Sequence, residues 1–160
     1  MIRHIVLAAV FALAACSPPQ TEAPEGPAPV ARTAAEPAAP ASAPAGANES
    51  ITAWYRQRLG ATLIEPVEVF YGDFSGDGAP DAMAWGYHNT DGNMTDHVLA
   101  LFRNDAGQMR FVRTHDEVQG SEPTNVSISA GRITLTTKVA LATDPGCCPT
   151  GSQDWTVDTN

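Results

Sequence analysis

The N-terminal apolar run, Ile5–Ala15, stops well short of the roughly 20 residues that a permanent membrane-spanning helix needs. Basic residues are also scarce, nine Lys and Arg against eighteen Asp and Glu, for a net charge of -9. That balance excludes nucleic acid and anionic lipid head groups as ready electrostatic partners and favours cations or a basic partner. The chain lacks G-x-x-x-x-G-K-[ST], H-E-x-x-H and G-x-G-x-x-G, so no motif assigns nucleotide, zinc-protease or dinucleotide chemistry. Gly72-Asp73-Phe74-Ser75-Gly76 misses the G-x-S-x-G nucleophile elbow by one residue. Cysteine is limited to three residues, too few for a disulfide framework.

What the N-terminus does hold is an export signal. Met1-Ile2-Arg3-His4 supplies a basic start, Ile5–Ala15 the short apolar core, and small residues precede Cys16. Leu13-Ala14-Ala15-Cys16 looks like a lipobox, in which a diacylglyceryl group is placed on the thiol and the peptidase cuts before it. Residues 1–15 are therefore expected to be a lipoprotein signal peptide, and Cys16 the lipidated first residue. Two or three acyl chains, at about 0.8 kcal/mol per buried CH₂, hold such a protein on a membrane. Ser17 stands where Asp would direct inner-membrane retention, which points to the outer membrane of a diderm envelope.

Residues 17–48 contain eight of the thirteen prolines and no aromatic residue, and Val30 is their one large aliphatic side chain. Such a segment buries too little apolar surface to offset the entropy of ordering. Residues 16–48 are read as a disordered tether, reaching at most about 100 Å if fully polyproline II. Residues 49–160 remain as one globular domain, with fifteen acidic and seven basic residues.

The domain is expected to be α+β and mainly β: a small antiparallel meander with one N-terminal amphipathic helix packed on the sheet. Ile51, Trp54, Tyr55 and Leu59 recur at helical spacing, with Asn48 or Ser50 as the cap and Gly60 as the stop. From there the period is two. Val67, Val69 and Tyr71 share a face, as do Met83, Trp85 and Tyr87, with Ala82, Ala84 and Gly86 opposite. Residues 97–103 and 108–114 flank the hairpin signal Asn104-Asp105-Ala106-Gly107. Ile133, Leu135, Val139 and Leu141 alternate with Thr134, Thr136 and Lys138, and Gln153–Asp158 supplies a last strand. His88, His97 and His115 are expected at strand ends or on the surface.

The densest chemical signal runs from Asp73 to Asp81. Side-chain oxygens of Asp73, Ser75, Asp77 and Asp81 fall at loop positions 1, 3, 5 and 9, and the Ala79 carbonyl at position 7. That donor spacing suits a hard cation such as Ca²⁺, which takes six to eight oxygens. An Asp/Gly-rich turn without metal is the alternative. The loop resembles the calcium loops of FG-GAP and VCBS-type repeats, which implies that these four side chains are the ligands. Position 12 is Ala84, so the bidentate Glu of an EF-hand is missing, and the chain carries one copy of the loop.

Cys147 and Cys148 lie in Asp144-Pro145-Gly146-Cys147-Cys148-Pro149. In an oxidising compartment they can form a vicinal disulfide, stay as structural thiols, or act as a soft-metal or redox pair. The order of helix, strand, single Asp loop, strand and late Pro-Gly-Cys-Cys-Pro turn resembles the LppP/LprE-type bacterial lipoproteins. That likeness implies a small envelope domain and carries over no catalytic residue. The functional expectation is a membrane-anchored, non-enzymatic and calcium-stabilised binding module with an envelope protein partner. The alternatives are an envelope enzyme, or a thiol protein using Cys147 and Cys148.

Overall fold

The computed structural model describes residues 41–90, 94–145 and 147–159. The signal peptide, Cys16 and most of the expected tether lie outside the described residues. Helix α1 spans Ala47–Leu59 and leads through a 3₁₀ turn, Gly60–Thr62, into seven strands. These are β1 Leu63–Gly72, β2 Asp81–Asn89, β3 Thr95–Asp105, β4 Gln108–Thr114, β5 Ser121–Ser129, β6 Arg132–Val139 and β7 Gly151–Asp158.

The fold is mainly-β α+β, as the alternating pattern indicates, and every strand pair is antiparallel. The strands form two meanders rather than one: a four-stranded sheet in the order β1-β2-β3-β4, and a three-stranded sheet β5-β6-β7. Met83, Trp85, Leu99 and Leu101 of the first sheet pack with Ile133, Leu135 and Val157 of the second. On its other face the first sheet presents Ala82, Ala84, Ala100 and Phe102 to Ile51 and Tyr55 of α1. The result is three layers, with the first sheet in the middle. Residues 81–86 are consequently buried without interruption, because both faces of β2 are covered.

Small side chains on the helix-facing side let α1 approach closely. A Cβ at Gly86 would overlap the Tyr55 ring. The Tyr55 hydroxyl lies 2.9 Å from the Ala84 carbonyl and 2.8 Å from the Val98 carbonyl, and its proton serves both. Burial pushes the Tyr55 phenol up, against the backbone groups of Ala100 and Gly86 and the Arg58 charge.

Four local expectations are corrected. The helix begins at Ala47, ahead of the residue 49 boundary, with Gly46 at its N-cap and no side-chain cap. Asn48 instead accepts a 2.6 Å hydrogen bond from the Tyr71 hydroxyl, tying α1 to β1. The β3–β4 connection is a two-residue turn, Ala106-Gly107, both with positive φ as a primed hairpin turn requires. Leu141 lies beyond β6 and is exposed, since that strand ends at Val139.

Candidate functional site

The Asp loop joins β1 to β2, and its carboxylates gather main-chain amides. Asp73 Oδ1 accepts from the amides of Gly76 (2.6 Å) and Asp77 (3.1 Å) and from the Ser75 hydroxyl (3.3 Å), while Oδ2 accepts from the Gly78 amide (2.8 Å). Gly76 and Gly78 have φ of 78° and 88°, left-handed conformations that suit residues without a Cβ. Desolvation raises the Asp73 pKa, but the amides of Gly78, Gly76 and Asp77 and the Ser75 hydroxyl outweigh it and hold the carboxyl below the usual range. Asp77 Oδ1 accepts from the Ala79 amide at 2.8 Å, a local Asx turn.

Asp81 is fully buried (0% exposed) at the start of β2. Its Oδ2 accepts from the Ser75 amide at 2.8 Å and its Oδ1 from the Asn104 amide at 2.9 Å. Asn104 also donates from Nδ2 to the Pro80 carbonyl (3.2 Å), and its Oδ1 accepts from the Gly107 amide (2.7 Å). One buried carboxylate thus fastens the loop to the β3–β4 hairpin.

The oxygen donors suit a hard cation in kind. Asp73 and Asp81 each accept protein donors on both carboxylate oxygens. Among the described residues no three His, Cys, Asp or Glu side chains form a metal-holding group. The D-x-S-G-D-G-x-x-D spacing has an explanation in these amide contacts alone.

Phe74, which the sequence reading passed over, is the loop's structural anchor. It is 3% exposed and joins the core between the sheets. Its carbonyl accepts from the Gly131 amide at 2.8 Å and from the Thr159 hydroxyl at 3.4 Å. A lone aromatic inside an Asp/Gly-rich loop was the available signal.

Beside the loop lies a groove of about 590 Å³ between β1 and β5, the neighbouring edge strands of the two sheets. Val69, Phe70, Val126 and Ile128 give it an apolar lining, and Tyr71 and Asp73 add polar groups. Gly72 forms its floor, since a Cβ there would lie 2.5 Å from Ile128 Cβ. A second, shallower depression of about 340 Å³ on the outer face of β5–β7 is lined by Asn125, Thr134, Thr136, Asp154 and Thr156, among others.

Two histidines are interior rather than superficial. The His97 ring stacks on Trp85, with centroids 4.2 Å apart and planes 3° from parallel, and its Nε2 lies 2.9 Å from the Val118 carbonyl. His115 is buried, with Nδ1 2.5 Å from Glu117 Oε1 and Nε2 accepting from Arg113 Nε at 3.1 Å. Arg113 continues to the Asp158 carbonyl. The contact with His115 holds the Glu117 carboxyl below its ordinary range. Both His115 nitrogens are therefore engaged within the fold, which suits fastening β4 to β7 better than proton transfer to a substrate.

Cys147 and Cys148 form a vicinal disulfide at the exposed end of the β6–β7 connection, with Cα atoms 3.8 Å apart. Asp144 ties this connection together. It accepts from the amides of Leu141 and Thr150, each at 2.8 Å, and from the Thr150 hydroxyl at 2.7 Å.

No protein-family model, curated protein or solved structure matches the chain, so no comparison identifies the LppP/LprE-type family. No helix among the described residues is long and apolar enough to cross a membrane.

Proposed function

We propose that this chain is a bacterial envelope lipoprotein, held on the membrane through Cys16, whose domain is a non-enzymatic binding module. The observation that supports the reading is the groove between β1 and β5. It has apolar walls with polar groups at Tyr71 and Asp73, is bounded by two sheet edges, and is framed by a loop that Asp73 and Asp81 hold in place. Binding sites of this kind combine apolar walls with a few placed polar groups. Ser17 after the lipidated cysteine favours the periplasmic face of the outer membrane as its location.

A photo-crosslinking side chain at Ser127, inside the groove, tests the binding role in intact cells. It is expected to capture an envelope component that the same group at Gln57, exposed on α1, does not. Equal capture at both positions, or none at Ser127, overturns the reading. Mass spectrometry of the mature N-terminus tests the anchor: an unmodified Cys16 removes it.

The calcium-stabilised form of this proposal places the cation on the remaining lone pairs of Asp73 and Asp81, with Ser75, Asp77 and the Ala79 carbonyl completing the oxygen set. Titration of the chain and of Asp77→Ala with Ca²⁺ decides it. Identical heats and melting temperatures for the two proteins remove calcium from the account.

A further inference from the structure

Strand β4 is the outer edge of the first sheet and pairs only with β3 among the described residues. Edge strands are ordinarily kept short, charged or covered, because their unpaired main-chain groups invite another chain. Here the edge is partly apolar: Phe111 and Val112 are each 43% exposed. Phe111 stacks on Trp54 of α1, with centroids 4.7 Å apart and planes 20° apart, and Phe102 supports both rings edge-on. The Arg58 guanidinium lies 5.5 Å from the Trp54 ring centroid. Together these side chains make an aromatic shelf along the helix side of the edge.

The opposite face of the same edge carries Arg103 and Arg110, the latter paired with Asp105. Arg103 stands directly across from Arg110 in the β3–β4 ladder. Of the seven basic residues of this acidic domain, Arg110 and Arg113 lie on β4 and Arg103 on the neighbouring β3, while Arg56 reaches the far edge at Glu65 of β1. Arg56 pairs with Glu65 and Arg110 with Asp105, both at 2.7 Å and both exposed. Val112 is the extra residue where the β3–β4 register shifts, so regular pairing is open to a new strand over Gln108–Phe111.

Side chains of a strand added to β4 alternate between these two faces. Those on the helix side meet Phe111 and Trp54; those on the other side meet Arg110 and Arg103. We infer that the β4 edge docks an extended segment of a partner protein in which apolar residues alternate with Asp or Glu. Charge decides against the other occupants. A second copy paired edge to edge brings no acidic side chain to these arginines, since Gln108–Thr114 contains none. An anionic bilayer meets a domain of strongly negative net charge. The inference concerns a different surface from the β1–β5 groove and stands independently of it.

The test uses the full chain and a fluorescent ten-residue peptide alternating valine and glutamate. Saturable binding is expected, with slowed amide exchange over residues 108–111. Arg103→Glu, an exposed substitution, is expected to weaken binding about tenfold, or 1.4 kcal/mol, and to improve binding of the corresponding valine–lysine peptide. Phe111→Ser is expected to weaken binding of both peptides, with its melting temperature measured alongside. Ser127→Trp in the groove leaves binding unchanged. No saturable binding, equal binding of a composition-matched shuffled peptide, or protection elsewhere overturns the inference. So does a concentration-dependent dimer protected at residues 108–111, or binding to phosphatidylglycerol vesicles that Arg103→Glu abolishes.

Discussion

The buried carboxylate of Asp81 accepts the main-chain amide of Asn104 at 2.9 Å, joining residues 23 positions apart in the chain. With the Ser75 amide on its other oxygen, it links three segments: the Asp loop, the start of β2 and the β3–β4 hairpin. Both bonds bring a main-chain N–H to a side-chain oxygen, in a place water does not reach. Asp81→Asn keeps the shape but turns one acceptor into a donor facing an N–H. The expected cost is about 1–3 kcal/mol, the range for a buried donor left without its acceptor. Urea unfolding of the full chain measures it; a loss under about 0.5 kcal/mol, the level of an ordinary surface change, contradicts the assignment.

Asp73 gives the loop an acid dependence. Its folded pKa is depressed by amides present only in the folded loop, although desolvation opposes them. The unfolded chain therefore binds this proton more tightly. The stabilisation is fully present above the unfolded carboxylate value of about 3.9 and is lost as pH falls through the lower folded value. Asp73→Asn removes that component, so its stability is expected to fall less steeply than wild type below about pH 4. Unfolding midpoints in urea across the acid range provide the comparison. Parallel curves for the two proteins contradict the prediction.

The elements that sequence made legible are those with an uninterrupted period. Met83, Trp85 and Tyr87 alternate cleanly with Ala82, Ala84 and Gly86, because β2 separates a large-residue core from a close-packed helix. β5 escaped notice because Pro123 interrupts a Ser/Thr/Asn-rich run and its pairing with β6 shifts register twice. The division into two sheets was not legible either. Alternation reports which side of a strand is buried, and is silent about which strand lies beside it. At the Asp loop, residue types announced strong acceptors, but the donors they meet are main-chain amides, which any sequence supplies. Phe74 and the interior histidines show the same limit: their burial comes from contacts with distant strands.

Tyr55 tests how much of the helix docking is polar. Its ring is buried against Gly86, and its hydroxyl reaches carbonyls of two neighbouring strands, at Ala84 and Val98. Tyr55→Phe retains the ring packing and removes the shared hydrogen bond. About 1 kcal/mol of destabilisation is expected, the net value of one such bond. Amide exchange is expected to accelerate in α1 more than in β6. Uniform acceleration across both elements means the hydroxyl stabilises the whole fold rather than this layer contact.

Gly72 tests the contact between the sheets. It is the last residue of β1, and an added Cβ there lies 2.5 Å from Ile128 Cβ and 2.8 Å from Ile128 Cγ2 on β5. Real side chains do not approach so closely, so Gly72→Ala forces the two edge strands apart or moves Ile128. Overpacking of this kind costs typically 1–3 kcal/mol. Removing the opposing Cβ and Cγ2 in Gly72→Ala/Ile128→Gly relieves the side-chain part of the clash. The double variant is therefore expected to be more stable than the two single effects predict, with a coupling of about 0.5 kcal/mol or more. The Ile128 carbonyl lies 3.1 Å from the same point, so relief is partial. Thermal melts of the four proteins complete the cycle, and simple additivity means that β1 and β5 do not meet at this pair.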